Sequence, residues 1–484
     1  MDNTGGSKGQ DDAKPAARLT ETESGAEFRS VRLQKPRGLA SHFPLKGSRT
    51  DVAKKPAGTG SDVIDKSSYI FAGAEKPSTT SQENCPCSWS PKEARPIPSY
   101  YPLDRWTRLV VEALYIVVQR IMEANRMLSI HAVYCNETAT ADLYTSENVE
   151  MYLSLWKSPE AGILIEIQRR KGDSIAFHRY SRCILDAAAG ELNLKEHIEQ
   201  NGVDLDMVYT KNVHRLLSLE EKKDAATERD NAIVAVEIAH GLLMKDRMDA
   251  RQLGLESLCL LTDPRKTGTR TSLIASRVVL LGTANDSTEP EEEELIVDET
   301  PFLEIQQTIL SLIQFRRIGE EGGDDDDVEL DDIEQEHITV LHNLALAVLA
   351  NALSVISDEE NLTVDDPEEV ENTNRRRLDT SESISERFLE DSECTCPDSS
   401  EKREIMTTLI SELGKAGMKP HNACLSAKCL RSLFKASNKA REKAKELGAK
   451  TVVQTALEVG ARTHLKLEHE CSKVLTELTQ TNTE

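Results

Sequence analysis

The sequence predicts an N-terminal disordered tail, then a small α+β domain, then an all-α helical array, within 484 residues. Three observations indicate this order. Residues 1–98 show no sustained hydrophobic periodicity, residues 99–190 contain runs that alternate apolar and polar side chains, and residues 191–484 show helical spacing almost throughout. The length alone favours two or three domains.

Charge and aromatic content both change near residue 190. The net charge is −24, and residues 191–484 hold 34 basic and 60 acidic side chains. Fifteen of the 20 aromatic side chains precede residue 190. Because a stack of helices can be built from Leu, Ala, Ile and Val, this change predicts a domain boundary. The acidic balance argues against nucleic acid as a partner, since phosphate binding requires positive charge.

Residues 1–98 are rich in Gly, Ser, Thr, Pro and Lys, and they offer too little apolar area to offset the entropy of ordering. No apolar run approaches the roughly 20 residues that span a bilayer, so we expect no transmembrane segment. The N-terminus also lacks the apolar region of a secretory signal. We therefore expect a cytoplasmic protein with reduced cysteines, with the nucleus as the alternative compartment.

The segment 99–190 predicts a helix, three strands and a second helix. Residues 103–125 have apolar side chains at spacings of three and four, which is typical of a helix. Strands are predicted at 127–135, 149–156 and 163–170, with a polar loop over 136–148. The turn at Gly172–Asp173 leads into a helix over 174–189. Alternation in the strands predicts an antiparallel sheet that the two helices cover on one face.

The run ILIEIQRRKGDSIAFHRYSRCIL, residues 163–185, passes from the last strand through a basic Gly-Asp turn into the closing helix. Over about 103–189 this order resembles the C-terminal kinase-associated domain of AMP-activated and MARK-type protein kinases. The chain contains no kinase Gly-rich loop, HRD or DFG, so a kinase activity does not carry over. The resemblance implies a module that binds anionic lipid head groups, kinase domains or companion subunits.

The densest basic cluster of the predicted folded part lies at this Gly-Asp turn and on the helix that follows it. Cations near an anionic membrane contribute roughly 1 kcal/mol each, which favours a lipid contact. An acidic protein segment, including one from this chain, is an equally good partner. The candidate binding residues are Arg169, Arg170, Lys171, His178, Arg179 and Arg182.

Beyond residue 190 the periodic stretches predict helices at 204–219, 230–245, 249–263, 269–281, 301–315 and 336–356, with four more over 402–480. The 336–356 stretch is apolar almost all round, which predicts a central helix. Residues 422–460 resemble an armadillo repeat: Ala427, Leu430 and Leu433 mark a long helix, and Gly448 suits a helix end with positive φ. The resemblance implies a groove for a protein or peptide, although HEAT-like or irregular packing is also compatible.

Acidic insertions near 284–299, 318–335 and 357–400 interrupt the predicted array. Such blocks repel themselves and stay solvated. They are interpreted as solubilising loops or, alternatively, as an acidic segment that engages basic partners, including the cluster from Arg169 to Arg182. Their spacing lacks the glycine of a calcium-binding EF-hand loop.

No motif of phosphate-binding, metalloprotease, serine-hydrolase or dinucleotide-binding enzymes is found. His240 and His464 fit helical patterns as packed or surface residues, and Cys183 is interpreted as a core thiol. The pairs Cys85/Cys87 and Cys394/Cys396 are too far apart for one zinc module. We therefore expect no catalytic residues, no cofactor and no metal.

The leading interpretation is a non-catalytic scaffold or adaptor whose helical array binds a protein or peptide. The alternatives are a peripheral membrane protein that binds anionic lipids through residues 169–182, and an enzyme with an unrecognised site.

Overall fold

The computed structural model describes residues 88–159, 162–201, 225–284, 299–314, 332–362, 383–394 and 404–479. In these residues a sheet flanked by helices is followed by a series of helices, which confirms the α+β part and the all-α part that follows it. The predicted helix at 204–219 and most of the acidic insertions lie outside the described residues, as do Cys85, Cys87 and Cys396 and residues 1–87 of the predicted tail.

The sheet has six strands. Five of them form an antiparallel ladder in the order β2-β6-β5-β4-β3, and β1 pairs in parallel with the end of β5. The strands are β1 (Arg95–Pro96), β2 (Thr107–Val110), β3 (His131–Cys135), β4 (Thr140–Tyr144), β5 (Glu150–Ser158) and β6 (Gly162–Lys171).

The start of the predicted 103–125 helix is wrong. Residues Thr107–Val110 form β2, which pairs with Ile163–Glu166 of β6, and the helix begins only at Leu114. The apolar spacing of these residues is compatible with a helix or a strand. They form a strand because the edge of β6 offers backbone hydrogen bonds.

The predicted polar loop over 136–148 is also wrong in part, because it contains β4. Ala141 and Leu143 are buried in the core while Asp142 points to the other face, so a short period-two pattern is present. The ordered domain also begins before residue 99. Trp89 is 3% exposed and stacks on Tyr134, with ring centroids 5.1 Å apart.

Helices α1 (Leu114–Met127) and α2 (Ser174–Ala188) pack together on one face of the sheet. The core between them and the strands contains the inward side chains of β5 and β6. Asp173 caps α2 by accepting a hydrogen bond from the Ala176 amide at 2.7 Å. A short helix, α3 (Leu194–Asn201), follows.

The remaining helices, apart from the four-residue helix Pro264–Thr267, contribute buried side chains to a second core. They are α4 (Ala225–Leu243), α5 (Met248–Leu261), α6 (Pro264–Thr267), α7 (Thr269–Leu281), α8 (Thr300–Gln314), α9 (Asp332–Leu362), α10 (Ile384–Cys394), α11 (Ile405–Gly414), α12 (Pro420–Ala436), α13 (Asn438–Glu446), α14 (Ala449–Thr463) and α15 (Leu465–Thr479). Helices α5, α9, α12 and α15 pack in series, each against the next.

Helix α9 is the central helix that the sequence predicts. Its stretch Gln335–Glu359 is long and apolar enough to cross a membrane, but 56% of the apolar window is buried against other helices. Contacts with α5, α7, α8 and α12 account for this burial. The composition is therefore explained by a position in the core of the helical part.

Candidate functional site: the basic turn and the domain junction

The basic turn between β6 and α2 depends on Gly172. Its φ is +96°, and a Cβ atom there would lie 2.5 Å from the Asn148 carbonyl oxygen and 2.7 Å from the Val149 Cα. Only glycine fits this combination of backbone conformation and close approach. The turn therefore fixes the position of Arg169, Arg170 and Lys171 at the end of β6.

Two of the three turn cations are held by their own domain. The Arg169 guanidinium donates to the Gly172 carbonyl at 2.7 Å. Arg170 donates to Asp142 Oδ1 at 2.8 Å, and its guanidinium lies 4.2 Å from the centre of the Tyr152 ring. The carboxylate that pairs with Arg170 therefore comes from β4.

Lys171 contacts the helical part of the chain. Its ammonium lies 2.6 Å from Glu336 Oε1 in α9 and 3.8 Å from Glu150 in β5. The hydrogen bond with Glu336 raises the pKa of Lys171, and burial opposes this only in part. Glu336 ends the acidic run that begins at residue 320, so an acidic residue of the chain itself does meet the basic cluster.

The three basic residues of α2 face different environments. The His178 ring packs against Trp106 in a tilted arrangement, with ring centroids 4.7 Å apart. Arg179 pairs with Glu147 at 2.6 Å, where the buried Tyr180 hydroxyl also donates. Arg182 lies 3.6 Å from Asp186, and its side chain is 79% exposed.

The predicted cluster is thus partly neutralised. Arg170, Lys171, Arg179 and Arg182 each have a carboxylate partner. Asp142 and Glu147 lie in the segment that the sequence predicts as a loop, so local spacing does not indicate that they pair with the cluster. Glu336 belongs to the acidic run that the sequence offers as an alternative partner of the cluster, although it lies 165 residues from Lys171.

A second cluster joins the α+β domain to the helical part. His421 of α12 donates from Nε2 to the Tyr144 carbonyl of β4 at 2.9 Å. His464, between α14 and α15, lies with Nε2 3.1 Å from His421 Nδ1, and its own Nδ1 accepts from the Leu467 amide at 3.2 Å. Both rings fit the neutral form that carries its proton on Nε2.

Burial dominates the acid–base behaviour of these rings. His464 is 1% exposed, and burial holds its pKa well below the usual range. Burial also lowers the pKa of His421 to about 4, against an opposing effect of the Tyr144 carbonyl. The pKa of His131 on β3 is lowered for the same reason. The interpretation of His464 as a packed residue is confirmed.

Three further contacts secure this junction. The Lys466 amide donates to Ser129 Oγ at 2.9 Å, and Arg126 lies 3.4 Å from Glu468. Leu465 packs against the hydrophobic core of the α+β domain. A cleft of about 470 Å³ opens beside them, between α1 and β3 on one side and the α11–α12 turn and α14 on the other.

A buried polar cluster around Glu166 stabilises the sheet. Glu166 is fully buried and accepts from the Asp104 amide at 2.8 Å, Trp156 Nε1 at 2.9 Å and Gln168 Nε2 at 3.0 Å. Both carboxylate oxygens therefore accept hydrogen bonds, and the bond to the Asp104 amide ties the segment before β2 to the sheet. Burial raises the pKa of Cys183, in line with a core thiol.

No family model, no curated protein and no solved structure matches this chain. The likenesses to kinase-associated domains and armadillo repeats therefore stay predictions. Among the described residues, no three His, Cys, Asp or Glu side chains are grouped so that they could hold a metal ion.

Proposed function

We propose that this chain is a non-catalytic scaffold whose helices form an armadillo-like array and bind a protein or peptide partner. Support comes from the serial packing of α5, α9, α12 and α15, which resembles the way solenoid repeats bury their faces against neighbours. In such arrays a helix at an end keeps a face that no neighbour covers.

The observation that carries the proposal is the distribution of exposed apolar side chains. Within the described helical part, six of the eight large exposed ones lie between residues 234 and 303. On α4, Val234 and Ile238 are 52% and 61% exposed and share a face at a spacing of four. On α5, Leu253 and Leu260 are 50% and 48% exposed. Apolar concentration of this kind marks interaction surfaces.

The test compares tagged full-length chains as baits for quantitative capture from a cell lysate. The variant Ile238→Glu/Leu253→Glu places charges on the α4–α5 surface, and Met418→Glu/Leu447→Glu is the matched control on exposed apolar residues elsewhere. We expect proteins that the wild type and the control retain and the first variant loses, with unchanged helical circular dichroism. Identical captured sets for all three chains would contradict the proposal.

A second candidate is binding to anionic lipid through the basic turn. It is favoured by Ile175, which is 74% exposed directly after the turn and offers an apolar side chain beside Arg169, Arg170 and Lys171. The carboxylate partners of the cluster weaken the attraction, so we rank it below the scaffold.

Co-sedimentation of the full chain with phosphatidylserine vesicles at low and high salt distinguishes lipid binding from the scaffold function. Lipid binding predicts retention at low salt that Arg169→Glu/Arg170→Glu removes and Arg265→Glu/Lys266→Glu preserves. Absence of retention at low salt would eliminate this candidate.

A further inference from the structure

We propose that the junction between the α+β domain and the helical part is a pH-sensitive dock, in which protonation of His421 or His464 separates the two parts. The surfaces involved are the β4 end at Tyr144 and Ser129 on one side, and the starts of α12 and α15 on the other.

The geometry carries this proposal because the two rings form one directed chain of hydrogen bonds. The Leu467 amide donates to His464 Nδ1 at 3.2 Å, His464 Nε2 donates to His421 Nδ1 at 3.1 Å, and His421 Nε2 donates to the Tyr144 carbonyl at 2.9 Å. All four ring nitrogens are used, and each ring needs to be neutral for its Nδ1 to accept.

A proton added to either ring disrupts this series of hydrogen bonds. On His421 it places an N–H group at Nδ1 against the His464 N–H donor. On His464 it places one against the Leu467 amide. Two donors then face each other, in a partly buried contact between the rings or in a buried contact at Leu467, which costs the hydrogen bond and leaves a polar group unsatisfied.

The surrounding charges do not compensate for a new cation. Among the described residues, those that act electrostatically on both rings are His131 of β3 and Lys466 of α15, and both are basic. The Tyr144 phenol, whose pKa burial raises, stays neutral. The Glu468 carboxylate at this contact pairs with Arg126 of α1.

The sign of the pH dependence follows from linkage. Burial lowers the pKa of docked His421 to about 4, whereas an exposed ring in the separated state titrates near 6.5. Between these values the separated state binds the extra proton. Docking is therefore at full strength above pH about 6.5 and weakens as pH falls, by about tenfold per pH unit for each histidine.

Hydrogen exchange on the full chain, normalised to intrinsic rates at each pH, tests this. The reporters are the amides of Lys466, which donates to Ser129, and of Leu467, which donates to His464. Between pH 7.5 and 5.0 we expect their protection to fall at least tenfold, while amides of β5 stay protected and tryptophan fluorescence stays native. Unchanged protection at the reporters, or loss at β5 in parallel, would overturn the proposal.

Variants identify the titrating groups. His421→Gln keeps a donor for the Tyr144 carbonyl, and His464→Asn keeps an acceptor for the Leu467 amide. The double variant should lose most of the pH dependence of protection, because only His131 then remains as a junction histidine whose pKa burial lowers. His240→Gln on α4, whose ring lies 2.7 Å from Glu304, should behave as the wild type. A wild-type pH response in the double variant contradicts the assignment.

If the two parts of the double variant do not dock at pH 7.5, the single variant His464→Asn tests whether His464 contributes to the pH response. It should halve the slope of log protection against pH, and an unchanged slope would exclude His464 from the response.

Discussion

Glu166 illustrates how a single residue fixes a segment that has little regular structure. It lies on the sheet face opposite Ile165 and Ile167, is fully buried, and holds the chain before β2 through the Asp104 amide. A buried carboxylate is tolerated only with such donors. The period-two pattern predicts which face Glu166 occupies, but it does not predict that Tyr101 and the Asp104 amide lie against that face.

The change Glu166→Gln should destabilise the α+β domain by about 1.5–3 kcal/mol. The amide loses the charge of the acceptor and turns an NH₂ group towards one of three N–H donors. Tryptophan fluorescence during urea unfolding measures this well, because Trp89, Trp106 and Trp156 all lie in this domain. The exposed Glu137→Gln serves as control, and equal midpoints for both variants would refute the role of Glu166.

At the scale of secondary-structure elements, the turn between β6 and α2 fixes the position of the basic residues. Gly172→Ala should cost more than about 2 kcal/mol, since the new methyl group meets backbone atoms of Asn148 and Val149 that cannot move aside. Gly190→Ala is the matched control: its φ is also positive, but the new group meets only the flexible Arg120 side chain. It should cost about 1 kcal/mol. Similar losses in fluorescence-monitored unfolding would show that the close approach at Gly172 is unimportant.

Helix α11 contains a titrating carboxylate, Glu412, which lies 3.7 Å from His342 of α9. Burial alone would raise the pKa of Glu412, but His342 and Lys415 more than offset this and lower it to about 2. The stabilisation is present above pH 4.5, the usual value, and is lost as pH falls from 4.5 towards 2.

Glu412→Gln should therefore remove about 1–3 kcal/mol of stability at pH 5.5 and much less at pH 2.5. Urea unfolding followed by circular dichroism at 222 nm measures the helical part at both values. The exposed Glu458→Gln should change neither. An equal loss for Glu412→Gln at both pH values would contradict the role of the charge.

The sequence predicts long elements better than short strands. Helix α2, the central helix α9 and the Gly448 turn, where φ is +72°, follow directly from periodicity and turn chemistry. Strands β2 and β4 are not predicted, because four or five residues contain too few repeats of a period, and their pairing with β6 and β5 determines their structure.

The same reason limits the prediction of sites. The basic turn is local, so its residues are readable from one short run. The partners Glu147 and Glu336, and the contact between His421 and His464, join positions that only the folded chain brings together. No spacing in the sequence signals them.

At the scale of the whole molecule, the α+β domain and the helical part meet at several helices: Glu336 of α9, His421 of α12 and the start of α15 all contact the α+β domain. Leu465 packs into the core of the α+β domain, the Lys466 amide bonds to Ser129, and Glu468 faces Arg126. These contacts place the basic turn and the helical surfaces in one defined arrangement. The central claim is that these two parts are stabilised together.

The most direct measurement is urea unfolding of Leu465→Ala, followed by tryptophan fluorescence. All three tryptophans lie in the α+β domain, whereas residue 465 belongs to the helical part. Removal of this partly buried side chain should destabilise the fluorescence transition by about 1–3 kcal/mol, while Leu447→Ala, at a residue that is 40% exposed, should leave it unchanged. A fluorescence transition that is the same in Leu465→Ala and the wild type would contradict the docked arrangement.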